Sequence, residues 1–188
     1  MALSIEFATA GILRHVVAQA RGRRPLYVDP GTRASAGRQL ADSCVRHHLR
    51  CLVWCITDRC LHVVMQGAPA SITLATHELI GPRLRQGHWL STIVNPDIYL
   101  LEVARHALLA PVRAGLCRQA IDWPFSSARE LLGLRPAPPW LDPLPLYDLL
   151  GPRDGRGASR LPYTSVITTR SASARAVANS STNCCVRE

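Results

Sequence analysis

Residues 99–127 read YLLEVARHALLAPVRAGLCRQAIDWPFSS, and the fold turns on how this stretch is parsed. Leu100, Leu101, Val103, Ala104, Ala107 and Leu108 recur at three-and-four spacing, the apolar stripe of an amphipathic helix. Asp97 stands just ahead of it, where a carboxylate favours the positive helix end. Pro111 predicts an end or a kink, because proline has no N–H to donate and its ring crowds the preceding turn. Arg113 and a helix-ending glycine, Gly115, follow, and the stretch closes on the compact run Trp123-Pro124-Phe125-Ser126-Ser127. Taken alone, these residues describe a core helix followed by an aromatic clasp.

The chain before this stretch alternates strand and helix patterns. Ile12 to Ala18 reads as a first strand, bounded by Gly11 and the basic turn Arg21-Gly22-Arg23-Arg24. Leu26 to Val28 reads as a short second strand closed by Asp29-Pro30-Gly31. Residues 33–48 follow as a helix with Leu40, Cys44 and Val45 facing inward and Arg33, Arg38 and Arg46 outward. Cys51 to Thr57 is a nearly continuous apolar run, the pattern of a central strand. Leu61 to Met65 is its antiparallel partner across a turn at Asp58-Arg59. Ala70 to Gly81 reads as a second helix capped by Ser71, with Leu74, Ala75, Leu79 and Ile80 apolar. A basic loop, Arg83 to Trp89, leads into a strand from Trp89 to Val94. This order predicts an α+β fold, an antiparallel sheet with helices on one side, of which the ferredoxin-like arrangement is one solution.

Beyond Leu134 the composition shifts. Residues 135–145 are proline-rich and read as extended or turn-like; 146–150 have the pattern of a short helix. Residues 164–188 are rich in Ser, Thr, Ala and Arg, with little to bury, and read as disordered. The expected division is a domain over 1–134, an extension over 135–163 and a tail over 164–188.

Charge and cysteine usage narrow the class. The net charge is +9 and all 22 basic residues are arginine. Arginine makes bidentate contacts to phosphate, so the excess suits a polyanionic partner. The seven cysteines are odd in number and form no C-x-x-C, which points away from a disulfide framework or a zinc ribbon and toward free thiols in a reducing compartment. No apolar run approaches the ~18–20 residues of a membrane span, and the N-terminus lacks the order of a secretory signal. The expected location is the cytoplasm.

Ala110-Pro-Val-Arg-Ala-Gly115 followed by Asp122-Trp-Pro-Phe-Ser-Ser127 resembles the "NPVRAG … WPWSS" signature of REP-associated tyrosine transposases, HUH single-tyrosine transposases of insertion sequences. Ile5, Glu6, Phe7, His15, Val16, Arg21 and Gly22 match parts of the family's first segment, and Gln86, Gly87 and Val94 a later one. The resemblance runs to about Tyr163. It implies a ferredoxin-like fold with a catalytic helix lying across the sheet. It also implies two chemical parts. One is a magnesium or manganese ion held by a His-x-His pair on a strand, since alternate residues share a face, and polarising the scissile phosphate. The other is a helix tyrosine that attacks that phosphate, with a polar residue one turn later completing the metal site.

This chain departs from that pattern. The metal pair is Cys60-Leu61-His62, a softer pair that favours zinc over magnesium. The tyrosine position holds His106, and the polar position four later holds Ala110. Loss of strand cleavage is therefore expected. Tyr99, two turns before His106, is set too far along the helix to replace the tyrosine, and His62 and His106 also read as packed, hydrogen-bonded histidines. The resemblance implies single-stranded or hairpin DNA as partner, with Arg21, Arg23, Arg24, Arg83, Arg85 and Arg113 on phosphates and Trp89 stacking on a base. Relatives occur as monomers and dimers. The rival readings are a non-catalytic nucleic-acid binder or regulator, a small zinc protein using Cys60, His62 and Cys55, and a pseudogene product.

Overall fold

The structure, a computed structural model, describes residues 11–81 and 87–149. Four strands form one sheet: β1 (Ile12–Ala20), β2 (Arg50–Ile56), β3 (Cys60–Gly67) and β4 (Gly87–Ile93). Their spatial order is β2-β3-β1-β4, and every neighbouring pair is antiparallel. Helix α1 (Pro30–Arg46) joins β1 to β2, and α2 (Pro69–Ile80) joins β3 to β4. The α+β expectation and its ferredoxin-like order hold.

The helices cover both faces of the sheet, not one. Val16 and Ala18 of β1 and Leu61, Val63 and Met65 of β3 pack under α1 and α2 with Leu40, Cys44, Ile72 and Leu79. The opposite face presents Leu13, Leu52, Val53 and Val64. Helix α3 (Pro96–Leu108) covers it with Leu100, Ala104, Ala107 and Leu108, four of the six stripe residues; Leu101 and Val103 pack at its margin. A bare apolar face would be unstable in water, since fully burying one such side chain stabilises by roughly 1.5–3 kcal/mol.

Four local readings change. Leu26 to Val28 is not a strand: the Leu26 and Tyr27 N–H groups both donate to the Asp58 carbonyl, at 2.9 and 3.0 Å, which hooks the segment onto the β2–β3 turn. Helix α1 starts earlier than expected because Asp29 is its cap. The Asp29 carboxylate accepts from Thr32 N at 2.7 Å, Thr32 Oγ1 accepts from Asp29 N at 3.1 Å, and Pro30 fills the first turn. Helix α2 starts at Pro69 after Ala68, so Ser71 lies inside it and does not cap it. Val45, expected inward, is exposed, and so is the apolar Leu74.

Strand β2 is an edge strand whose outer side is closed. The Ile56 N–H donates to Phe125 O at 2.8 Å and Ser127 N–H to Trp54 O at 3.0 Å. The Trp54 N–H donates to Ser127 Oγ at 3.0 Å, and Trp123 Nε1 donates to Ile56 O at 2.8 Å. Further along, Cys51 N–H donates to Trp140 O and Asp142 N–H to Cys51 O. The Trp123–Ser127 clasp and residues 140–142 thus satisfy the backbone groups an edge leaves bare. That cover helps bury Cys51 to Ile56, leaving Arg50 exposed, and a register irregularity between Cys51 and Val53 turns both Leu52 and Val53 to the α3 face. The apolar run expected of a central strand arises here from a covered edge.

Past residue 127, α5 (Ala128–Leu131) and α6 (Leu144–Leu149) lean on the α3 side, with Leu131 and Leu146 buried there. The tail over 164–188 lies outside the described residues. No helix among the described residues is long and apolar enough to cross a membrane.

Candidate functional site

Helix α3 is fixed at both ends. The Asn95 side chain accepts from Asp97 N at 3.0 Å, and Pro96 occupies the first turn. At the far end the helix passes Leu109 into a short α4 (Ala110–Arg113) and stops at Gly115, which has φ +69°. Gly115 N–H donates to Val112 O and Leu116 N–H to Pro111 O, the paired bonds of a Schellman stop. Arg113 Nη2 reaches back to the His106 carbonyl at 2.6 Å. The Ala110–Gly115 motif is thus the device that ends the helix and holds its last turn.

Three histidines meet between α3 and the sheet. His62 on β3 is 0% exposed. His15 on β1 lies diagonally from it, because Val17 pairs with His62 and His15 with Val64. His15 Nε2 and His62 Nδ1 stand 3.3 Å apart, with the rings stacked at a 17° angle. The His106 ring, from α3, meets both edge-on: its centroid is 5.4 Å from that of His62 and 6.3 Å from that of His15. Burial, then repulsion from His62 and His106, pushes the His15 imidazole well below the usual histidine pKa, so it is neutral at pH 7. His62 Nε2 is buried without a hydrogen-bond partner.

The expected site residues therefore divide. His62 and His106 come together. Cys60, 1% exposed, precedes His62 by two residues on the same strand face, near the sheet end. His15, matched in sequence only as part of a motif, joins the site. The usable signal was its place on a strand whose register sets it against β3, and that register is not readable from spacing. Arg21, Arg23 and Arg24 are exposed just past β1, at the sheet end where Gln19 pairs with Cys60 and Ala20 with Gly87. Arg113 is exposed beside His106. Trp89 pairs with Ala18 and packs, half-buried, against the α1–α2 core, with His77 edge-on at 6.1 Å, on the opposite face from the histidines. Arg83 and Arg85 lie outside the described residues.

The hard ion implied by the sequence resemblance does not fit this site. Magnesium and manganese prefer oxygen donors, whereas Cys60 offers a buried thiol, His62 an imidazole, and Ala110, 0% exposed, no donor at all. Among the described residues no three His, Cys, Asp or Glu side chains stand grouped to hold an ion.

No protein-family model and no curated protein matches the sequence. Among solved structures, a REP-associated tyrosine transposase bound to a REP hairpin matches with a TM-score of 0.54. The match covers 71% of this chain and 89% of that one, at 15% identity. The chain has the fold of a REP-associated tyrosine transposase. At that identity the likeness is one of fold, and it agrees with the sheet order and with a helix laid across the histidine face.

Proposed function

We propose that this chain is a hairpin-DNA-binding protein of the REP-associated tyrosine transposase type whose tyrosine-dependent strand cleavage has been lost. One observation carries the reading. Where the motif resemblance sets the attacking tyrosine, the chain has His106, packed 5.4 Å from His62. No described tyrosine replaces it. Tyr99 is 49% exposed and about 10 Å further along α3, at ~1.5 Å per residue. Tyr27 is buried in the core under α1 and α2. The Tyr147 hydroxyl lies near the Glu130 and Leu131 carbonyls, at 3.4 and 3.3 Å.

Binding outlasts chemistry because it rests on different residues. Arg21, Arg23 and Arg24 stay exposed at one sheet end, and the chain carries +9. Phosphate contacts of this kind need neither a metal nor a nucleophile. The fold likeness to a protein solved with a REP hairpin supports the same partner class for this chain.

The test pairs two gels on single-stranded hairpin DNA from the gene's own flanks, with magnesium or manganese. A native gel reads binding, and a denaturing gel reads covalent adduct. The expected result is a salt-sensitive complex and no adduct. A variant combining Cys60→His, His106→Tyr and Ala110→Asn restores the resembling pattern, and adduct formation by it alone supports the reading. An equal affinity for hairpin and duplex of the same length would argue against hairpin recognition.

A further inference from the structure

Two cysteines meet on the face of the sheet away from the histidines. Cys44 lies near the end of α1 and Cys51 near the start of β2, and residues 45–50 turn the chain back between them. The Leu49 N–H donates to the Cys44 carbonyl at 2.8 Å, and His48 holds the left-handed backbone of the turn at φ +52°. Both side chains belong to the core under α1 and α2, Cys44 1% and Cys51 0% exposed, and both are free thiols. They act on one another: burial, then contact with Cys44, pushes the Cys51 thiol well above its usual pKa.

The sheet keeps the other buried thiols apart from this pair. Cys55 stands opposite His62 across β2 and β3, and Cys60 shares the strand face of His62, so both lie on the α3 side. Cys51 is held under a strap formed by residues 140–142. The Cys51 N–H donates to Trp140 O at 3.1 Å and the Asp142 N–H to Cys51 O at 2.7 Å, and the Asp142 carboxylate pairs with the Arg50 guanidinium. Leu141 of the strap is buried in the same cluster as the two thiols.

We propose that Cys44 and Cys51 are a redox pair that closes to an intramolecular disulfide by exchange with a small-molecule disulfide, oxidised glutathione being the type. With the strap shut, burial keeps the Cys51 sulfur a thiol, and a thiol is a poor nucleophile. Opening of the strap wets Cys51 and lets its thiolate form. That thiolate attacks one sulfur of the oxidant, making a mixed disulfide and expelling one glutathione thiolate. The Cys44 thiolate then attacks the Cys51 sulfur, and the second glutathione leaves. The protein gives up two electrons and two protons, and the oxidant takes them up as two thiols. The cross-link joins α1 to β2 on the side away from His15, His62 and His106, so it stands independently of hairpin binding.

The experiment equilibrates the purified full chain, first fully reduced, in glutathione buffers of rising oxidised share. Acid stops the exchange, free thiols are alkylated in denaturant, and tryptic peptides are mapped without reductant by tandem mass spectrometry. Cleavage at arginine puts Cys44 in peptide 39–46 and Cys51, together with Cys55, in peptide 51–59; fragmentation tells Cys51 from Cys55. The expected result is a peptide pair joined from Cys44 to Cys51, with Cys55 and Cys60 alkylated. The map is read on the wild-type chain, so it does not depend on any variant folding. Asp142→Asn, which removes the charge pairing the strap to Arg50, is expected to speed closure about twofold to fivefold, with circular dichroism checking its fold. Free thiols at both positions in every buffer overturn the proposal. So does a link that uses Cys55, Cys60 or Cys117, a glutathione adduct that never resolves to the cross-link, or a closure rate unmoved in the folded Asp142→Asn variant.

Discussion

The two faces of the sheet are built for different ends. The face under α1 and α2 is closed with aliphatic side chains: Val16, Ala18, Leu61, Val63 and Met65 meet Leu40, Ile72 and Leu79. The face under α3 interleaves Leu13, Val53 and Val64 with His15 and His62, and α3 adds His106. Both come from the same strands, so adjacent residues of β1 and β3 serve opposite purposes. Under the proposed function, the chemistry belongs to the α3 face, which is also an apolar core in its own right. A change at position 106 touches that face only, so the opposite core is independent of which residue stands there.

Breaking the apolar face has the largest expected effect. Leu61→Ala leaves a cavity in a fully buried position and is expected to cost about 2–5 kcal/mol in urea unfolding. On the α3 face, Ala110→Asn crowds a polar amide into a site without room and is expected to cost roughly 1–3 kcal/mol. That cost is why the restored triple variant needs its stability measured beside its activity. Ser127→Ala removes the acceptor of the Trp54 N–H on the β2 edge and is expected to cost about 1–2 kcal/mol.

Acid sharpens the contrast between the faces. The His15 pKa lies below its unfolded value, so the unfolded chain binds more protons as pH falls. The contribution is whole above the unfolded pKa of about 6.5 and is lost as pH drops toward the folded value. The protein is therefore expected to unfold more readily at pH 5 than at pH 7, and His15→Gln to flatten that slope in thermal melts. Replacing Arg21, Arg23 and Arg24 with Gln is expected to change stability by less than about 0.5 kcal/mol. The same replacement is expected to weaken hairpin binding and to lower its salt slope by roughly 0.7 for each phosphate no longer neutralised.

Much of the scaffold is legible in the sequence because period reports local structure. The α3 stripe, the alternation in β1 and the hairpin of β2 and β3 follow from residue spacing, and Asp29-Pro30 holds a cap signal that reads equally well as a turn. What spacing does not carry is which elements meet. A covered edge strand and a central strand give the same apolar run, and only the Trp123–Ser127 clasp lying against β2 tells them apart. The hook of Leu26 and Tyr27 onto Asp58 is equally nonlocal. In the site, the Cys60–His62 pair is two residues apart and readable, whereas His15 reaches His62 only through strand register.

The most direct measurement is a denaturing gel of wild-type protein incubated with labelled hairpin DNA and manganese. Loss of the attacking tyrosine predicts no band above free DNA, while the native gel of the same mixture shows a complex. A band that survives denaturation and disappears on protease treatment would mean a covalent adduct, and would contradict the claim that this chain binds hairpins without cutting them.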